Sequence, residues 1–439
     1  MGMSQLDLAQ VSEAFAHGSA WAGQPWTTKP KVVWVHGAEC TGCSVSLLSL
    51  FEDVTGKAIE GTSISTLAAL DYAVGGDGSG AHVLNSDPYK DGTHPFGHRT
   101  INMTQAVDGV ELAGVDFDGV ANKSAVIANI ADVLIDFIDL QYHETVMGMG
   151  GDLAYQWLKD NMDDKAGVGV PYVLVVEGSI QPKEKTGYWD AAGATPWCSV
   201  GMGESGGEHS FDDVVWELAS KAKCQAIIPI GQCACFGGYP ACVSPTLAAD
   251  AKGVANGGAM TGAMGTYDFL LYKDPKSTSC ANKVIAVPGC PTNPWWFILT
   301  TVAWLVDFTQ VSRPLGILTS GGAINPAAVD DQRRLKAVYG APLHGPWCKR
   351  YQAFLDGVFA AKPGDPGCLQ KLGCKGPQTM TLCAAHGWNG QQPHNNSAFD
   401  YGIQSVNGGY GGNCVAGGAP CMGCTEKGYP DAFLPFVAR

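Results

Sequence analysis

The stretch KVVWVHGAECTGCSVSLLSLFE, residues 31–52, decides the fold. KVVWV (31–35) is a short continuous apolar run, as expected of a strand buried on both faces, and SVSLLSLFE (44–52) reads as a helix. Between them HGAECTGC supplies a glycine-bearing turn with two cysteines, Cys40 and Cys43. The same succession recurs downstream. PYVLVV (171–176) leads into EGSI, QAIIPI (225–230) into GQCACFGG, and KVIAVP (283–288) into GCPTNP and an apolar helix. Strands alternating with helices predict a doubly wound parallel α/β sheet. Three of these strands hand over directly to cysteine: Cys40 and Cys43, Cys233, and Cys290. Open α/β sheets build their sites beyond the carboxyl ends of the strands, so these four thiols converge as one four-cysteine site. Gly37, Gly42, Gly231 and Gly289 at the same strand ends suit the tight turns and close backbone approach that such a site needs.

Six more of the 16 cysteines fall between Cys368 and Cys424, spaced C-x5-C-x8-C-x30-C-x6-C-x2-C. Thiolates at short spacing turn onto one soft metal ion or cluster. Disulfides mainly stabilise small secreted domains without a core, which a chain of 439 residues at 46% hydrophobic does not resemble. A structural zinc site uses four ligands, too few for this set. Covalent haem needs C-x-x-C-H, but Ser44 follows Cys43 and Thr425 follows Cys424. Several iron–sulfur clusters remain as the reading. Beyond about residue 320 the α/β rhythm fades, and a region with few long apolar runs is organised by its metals, whose binding free energy becomes folding free energy.

The net charge of −14, without a Lys/Arg stripe, excludes nucleic acid as a partner. Pro294 to Val306 (PWWFILTTVAWLV) is too short to span a bilayer and ends at Asp307, so the chain is expected to have no transmembrane segment of its own. The N-terminal MGMSQLDLAQVSEAF shows no export signal, so the expected location is cytoplasmic or on the cytoplasmic membrane, or periplasmic if a signal was removed. Residues 54–130 and 385–413 are rich in Gly, Asp and Asn and read as insertions. His82, His94 and His98, in the first of them, read as solvated loop histidines.

The motifs VHGAECTGC, DLQYHET (139–145), VVEGSI (175–180), GQCACFGG, PGCPTNP and GCLQKLGCKGP resemble the small, electron-transferring subunit of nickel–iron hydrogenases. The resemblance covers roughly residues 31–53, 131–240, 283–325 and 339–439. It implies an N-terminal extension (1–30), a flavodoxin-like domain (31–325) holding a proximal [4Fe-4S] cluster, and a loop-rich C-terminal domain (326–439) holding two more. The family's proximal ligands match Cys40, Cys43, Cys233 and Cys290, the four already chosen from strand ends. Its distal [4Fe-4S] ligands match His344, Cys348, Cys368 and Cys374, although the usual H-x2-C spacing is one residue longer here. Its medial cluster, commonly [3Fe-4S], matches Cys383, Cys421 and Cys424. Where the family usually has proline, seven residues before the C-x2-C, this chain has Cys414; a thiolate there fills the open corner and favours [4Fe-4S]. Oxygen-tolerant members carry extra cysteines at the places of Gly42 and Gly238, so an ordinary proximal cubane is implied.

The large-subunit signatures R-x-C-G-x-C and D-P-C-x-x-C are absent, which puts the nickel–iron centre on a partner chain. The chain would join that large subunit as a heterodimer, or a dimer of heterodimers. It would pass electrons to an acceptor such as a cytochrome, a quinone-linked protein or another iron–sulfur protein. Glu39 and Glu177 would line the interface or a proton exit, or end their loops as solvated carboxylates. Two other readings share parts of the pattern: the small subunit of a hydrogen-sensing hydrogenase, and the iron–sulfur subunit of a quinone-reducing complex. The latter has one cluster and lacks the 344–424 ligand set.

Overall fold

The structure is a computed structural model that describes residues 31–48, 138–162, 171–182, 196–202, 207–241, 261–309, 316–345, 348, 350–381, 383 and 413–430, with backbone pairing at 101–102 and 126–127. Most of both expected insertions, and His82, His94 and His98, lie outside the described residues.

Four strands, β1 (Lys31–His36), β2 (Asp139–His143), β3 (Tyr172–Glu177) and β4 (Cys224–Ile230), form a parallel sheet in the order β2-β1-β3-β4. Lys31 faces Tyr172 and His36 faces Glu177 across β1 and β3, so those two strands end level with one another. Parallel bridges from Ile227 to Val284 and from Ile230 to Val287 lay residues 284–287 beyond β4. The apolar runs explain the central strands: every residue of β3 is buried. β2, with the sequence DLQYH, is no such run. It lies at the sheet edge with one neighbour, where less apolar surface is demanded.

Six helices matter here: α1 (Gly42–Leu48), α2 (Gly151–Met162), α3 (Phe211–Ser220), α4 (Gly231–Phe236), α5 (Thr266–Lys273) and α6 (Pro294–Thr309). Successive strand residues point to opposite faces, and the two cores divide accordingly. Val32, Trp34, Val173, Val175 and Ile228 pack with Leu47 of α1 and with Trp296, Phe297 and Trp304 of α6. Val33, Val35, Leu174, Val176 and Ile227 pack with Leu158 of α2, Phe211 and Leu218 of α3, and Phe269 of α5. Burying a side chain such as Leu158 or Phe211 contributes roughly 1.5–3 kcal/mol, so both layers are held mainly by apolar burial. No helix among the described residues is long and apolar enough to cross a membrane.

Beyond Tyr339 regular elements are short, and a small third core gathers Leu343, Ala360, Leu369, Val415 and Cys421. The strand ends press close together. A Cβ on Gly37 would lie 2.3 Å from Phe211, and one on Gly178 (φ +96°) would lie 2.7 Å from the Gly37 backbone. Only glycine lets the β1 and β3 loops pass at this distance.

Candidate iron–sulfur sites

Cys40 sits on the turn leading into α1, Cys43 in the first turn of α1, Cys233 in α4, and Cys290 follows the 284–287 segment. The carboxyl ends of the sheet bring all four together. Burial raises the Cys43 thiol well above its ordinary value, Glu177 adds to this, and the Cys233 and Cys290 sulfurs push the same way. Burial likewise pushes Cys233 up to about 12, with Cys290 and Cys40 contributing. Four mutually repelling sulfurs in one crevice are poor thiolates by themselves, and a cluster's positive irons reverse that balance. The backbone is shaped around them. A Cβ on Gly231 would come within 2.3 Å of Cys43 Sγ, and one on Gly238 within 2.8 Å of Cys233 Sγ. Donor chemistry and close-fitting glycines both suit a four-thiolate cluster.

Glu177 is 2% exposed and organises this turn. Its Oε1 accepts the backbone N–H groups of Cys43 and Ser44, each at 3.1 Å. Its Oε2 accepts the Trp34 indole N–H at 3.1 Å and the Ser44 hydroxyl at 2.5 Å. His36 Nδ1 lies 3.2 Å from Glu39 Oε1 and 4.0 Å from Glu177 Oε2. Ser44 Oγ lies 3.2 Å from His143 Nε2. Burial raises the Glu177 carboxyl, and His36 and the Ser44 hydroxyl oppose that shift. Burial also raises Glu144. Neither Glu39 nor Glu177 is a solvated loop end: their side chains are 11% and 2% exposed. Sequence reasoning singled out Glu39 and Glu177 but not His36, Ser44, His143 or Glu144. DLQYHET, already a motif, was the available signal for the last two.

The other cysteines form two further groups. His344, Cys348, Cys368 and Cys374 line one small pocket. Burial raises the Cys348 thiol, with Cys374 and Cys368 adding to the shift. His344 Nε2 is buried without a hydrogen-bond partner, as an imidazole nitrogen awaiting a metal would be. The longer H-x3-C spacing does not keep His344 from the same cavity as the three cysteines. Cys383, Cys414, Cys421 and Cys424 make the second group. Burial raises Cys424 well above its ordinary value, and Cys421, Cys383 and Cys414 contribute in that order. Burial pushes Cys383 up to about 12, with Cys414 the first sulfur to add. Cys414 thus lies near Cys383 and Cys424, and near Cys374 of the neighbouring group as well. Among the described residues every cysteine is free of disulfides.

The remaining cysteines serve packing. Cys235 is 2% exposed and donates its S–H to Pro229 O at 3.2 Å. Cys224 belongs to the second core, with Cys198 and Cys280 packed against it. Cys242 lies outside the described residues.

Residues 339–402 match the family model for the C-terminal part of the NiFe/NiFeSe hydrogenase small subunit, and residues 121–304 match that for the NADH ubiquinone oxidoreductase 20 Kd subunit. In both matches the chain resembles the small subunits of nickel–iron hydrogenases and their relatives. It is 29% identical over 318 residues to the periplasmic [NiFeSe] hydrogenase small subunit of Desulfomicrobium baculatum, covering 71% of this chain and 80% of that protein. It is 27% identical over 415 residues to the F420 non-reducing hydrogenase II small subunit of Methanosarcina mazei, covering 93% and 75%. The crystal structure of a reduced, active form of the Ni-Fe-Se hydrogenase from Desulfomicrobium baculatum superposes with a TM-score of 0.56 at 25% identity, covering 94% of this chain and all of that one. Both of these relatives are named as hydrogenase small subunits.

Proposed function

We propose that the chain relays single electrons between a nickel–iron centre on a partner large subunit and an external carrier, through three clusters in series. Proximal [4Fe-4S] ligands are Cys40, Cys43, Cys233 and Cys290; medial ligands are Cys383, Cys414, Cys421 and Cys424; distal ligands are His344, Cys348, Cys368 and Cys374. The supporting observation is the serial contact between the groups. The Cys290 backbone opposes the upward shift of the Cys424 thiol, which places the two side by side, and the Cys421 N–H donates to Cys374 Sγ at 3.3 Å. One peptide therefore links the first group to the second, and another links the second to the third. When bound, the clusters supply one-electron redox chemistry. The chain's own residues hold the sulfurs, bury them and set their hydrogen bonds, which tune potential.

The strand order, with 284–287 as a fifth strand, supports a flavodoxin-like reading of residues 31–325. The loop-rich 326–439 then carries the other two clusters. Val45 and Tyr239, at 55% and 54% exposed, flank the proximal group and suit a large-subunit interface. Glu39, His36 and Glu177 adjoin that face, where protons would leave. A relative named periplasmic supports the periplasmic reading over the cytoplasmic one. The match of residues 121–304 to the NADH ubiquinone oxidoreductase model takes in β2, β3 and β4 but none of residues 344–424, and the two C-terminal ligand groups favour the hydrogenase.

Iron and sulfide analysis of the anaerobically purified heterodimer tests the relay. About 12 irons per small subunit are expected if all three clusters are cubanes. A count near four would leave a proximal cluster alone and end the three-cluster reading.

A further inference from the structure

The surface beside the distal group carries an apolar centre with cations at its margin. Leu355 and Val358 are 58% and 52% exposed. Their loop touches a ligand directly: Cys368 N–H donates to Val358 O at 2.8 Å, and Ala360 N–H donates to Cys368 O at 3.0 Å. Phe354 packs edge-on against His344 at 4.5 Å between ring centroids. Lys371, which is exposed, holds its ammonium 4.2 Å from the centroid of Phe359, and Lys362 is exposed on the same loop-rich segment. Arg350 is turned inward, bonded to the carbonyls of Val415, Asp365 and Gly367. Of the two acids here, Asp356 accepts from Gln352 and Asp365 from the Lys362 N–H.

We propose that this face docks a small acidic one-electron carrier protein. The inference rests on the reading that His344, Cys348, Cys368 and Cys374 hold the exit cluster. Residues 348–378 carry five basic side chains against Asp356 and Asp365, in a chain whose net charge is −14. At physiological ionic strength the screening length is about 8 Å, so a docking carrier feels this local excess rather than the net charge of the whole chain. Leu355 and Val358 supply the dehydrated centre, while Lys371 and Lys362 supply steering at the rim. A basic carrier would meet like charge at the point of closest approach. Each hydrogen molecule oxidised on the large subunit yields two protons and two electrons. Two carrier molecules therefore dock in turn, and each leaves reduced by one electron.

The test uses the complete heterodimer under hydrogen with three acceptors: acidic cytochrome b5, basic cytochrome c and methyl viologen. Cytochrome b5 should be reduced faster than cytochrome c, and its rate should fall as salt rises. The double variant Lys362→Glu/Lys371→Glu should lower the cytochrome b5 rate by roughly tenfold at low salt and leave viologen reduction unchanged. Leu355→Ser should slow cytochrome b5 reduction at every salt concentration. Preference for cytochrome c, or equal cytochrome b5 rates in wild type and the charge variant, overturns the docking proposal. Failure of the wild-type complex to reduce viologen, with low iron content, strikes at the relay reading instead.

Discussion

Gly231→Ala is the sharpest probe of the proximal site. Gly231 stands at the junction of β4 and α4 with φ +82°, and a Cβ there would sit 2.3 Å from Cys43 Sγ. The backbone has no room to retreat. Gly231 N–H donates to Val287 O at 2.9 Å and Gln232 N–H donates to Gly289 O at 2.8 Å, pinning the turn to the segment that presents Cys290. A left-handed non-glycine residue costs about 1–2 kcal/mol. Overpacking adds about 1–3 kcal/mol, giving roughly 2–5 kcal/mol in total. Gly322→Ala isolates the first contribution, because Gly322 has φ +78° and nothing within 4 Å of its added Cβ. Both variants should be made as heterodimers and compared in thermal midpoint, iron content and the proximal cluster's electron-spin signal. Gly322→Ala should keep its iron. Gly231→Ala should melt lower and lose about four irons as Cys43 is displaced. Equal midpoints with full iron in both would refute the reasoning that the turn is moulded to the sulfur.

Three further outcomes follow from named contacts. Cys414→Pro should create a three-iron electron-spin signal and raise the medial potential, since removing an anionic ligand stabilises the reduced state; a three-iron signal in undamaged wild type would show that Cys414 is not a ligand. Arg334 is 2% exposed and bonds Asp330, Glu426 and Thr425 O, so Arg334→Met should destabilise by about 3–5 kcal/mol. Calorimetry should show part of that loss restored by adding Glu426→Gln. Burial, helped by His36, lowers His143 to about 3. The unfolded chain therefore takes up a proton near pH 6.5 while the folded chain does not, so stability falls as pH drops from 6.5 towards 3, by up to about 1.4 kcal/mol per pH unit. His143→Gln should flatten that slope in denaturant titrations across the same range.

The central sheet was legible because β1, β3 and β4 are buried on both faces, and continuous Val and Ile runs have few alternatives to such strands. β2 was not legible as a strand. DLQYH carries an acid, an amide and a histidine because its role is to bring His143 to the site from the sheet edge. The four proximal cysteines could be grouped from strand ends alone, since topology forces those ends together. The C-terminal groups offered no such handle. Their spacing identifies cysteines but not partners, and the sorting of Cys374 from Cys383 came from likeness to a family. The role of Glu177 was invisible for a different reason. A carboxylate beside a strand end gives no sign that it will accept four donors and hold the turn bearing Cys43.

Packing between the sites explains why so irregular a C-terminal region keeps a defined relation to the sheet. Gln232, next to Cys233, donates to Glu426 O at 2.9 Å. Glu426 also accepts from Arg334 at 2.7 Å, from the Met380 N–H at 2.6 Å and from Gln332 at 3.0 Å. The residue therefore joins the loops bearing Cys424 and Cys383 to the helix bearing Cys233. Tyr339 adds a second brace, donating to Pro288 O at 2.9 Å from beneath the Cys290 turn, with the Arg334 guanidinium 5.6 Å from its ring. Single-electron transfer falls steeply with distance, so a relay needs fixed separations more than it needs regular secondary structure. Buried, hydrogen-bonded polar groups provide that: each is costly to leave unpaired, so the loops have one low-energy arrangement rather than many. On this argument the Arg334–Glu426 pair matters less for net stability than for holding the medial sulfurs at one distance from the proximal ones.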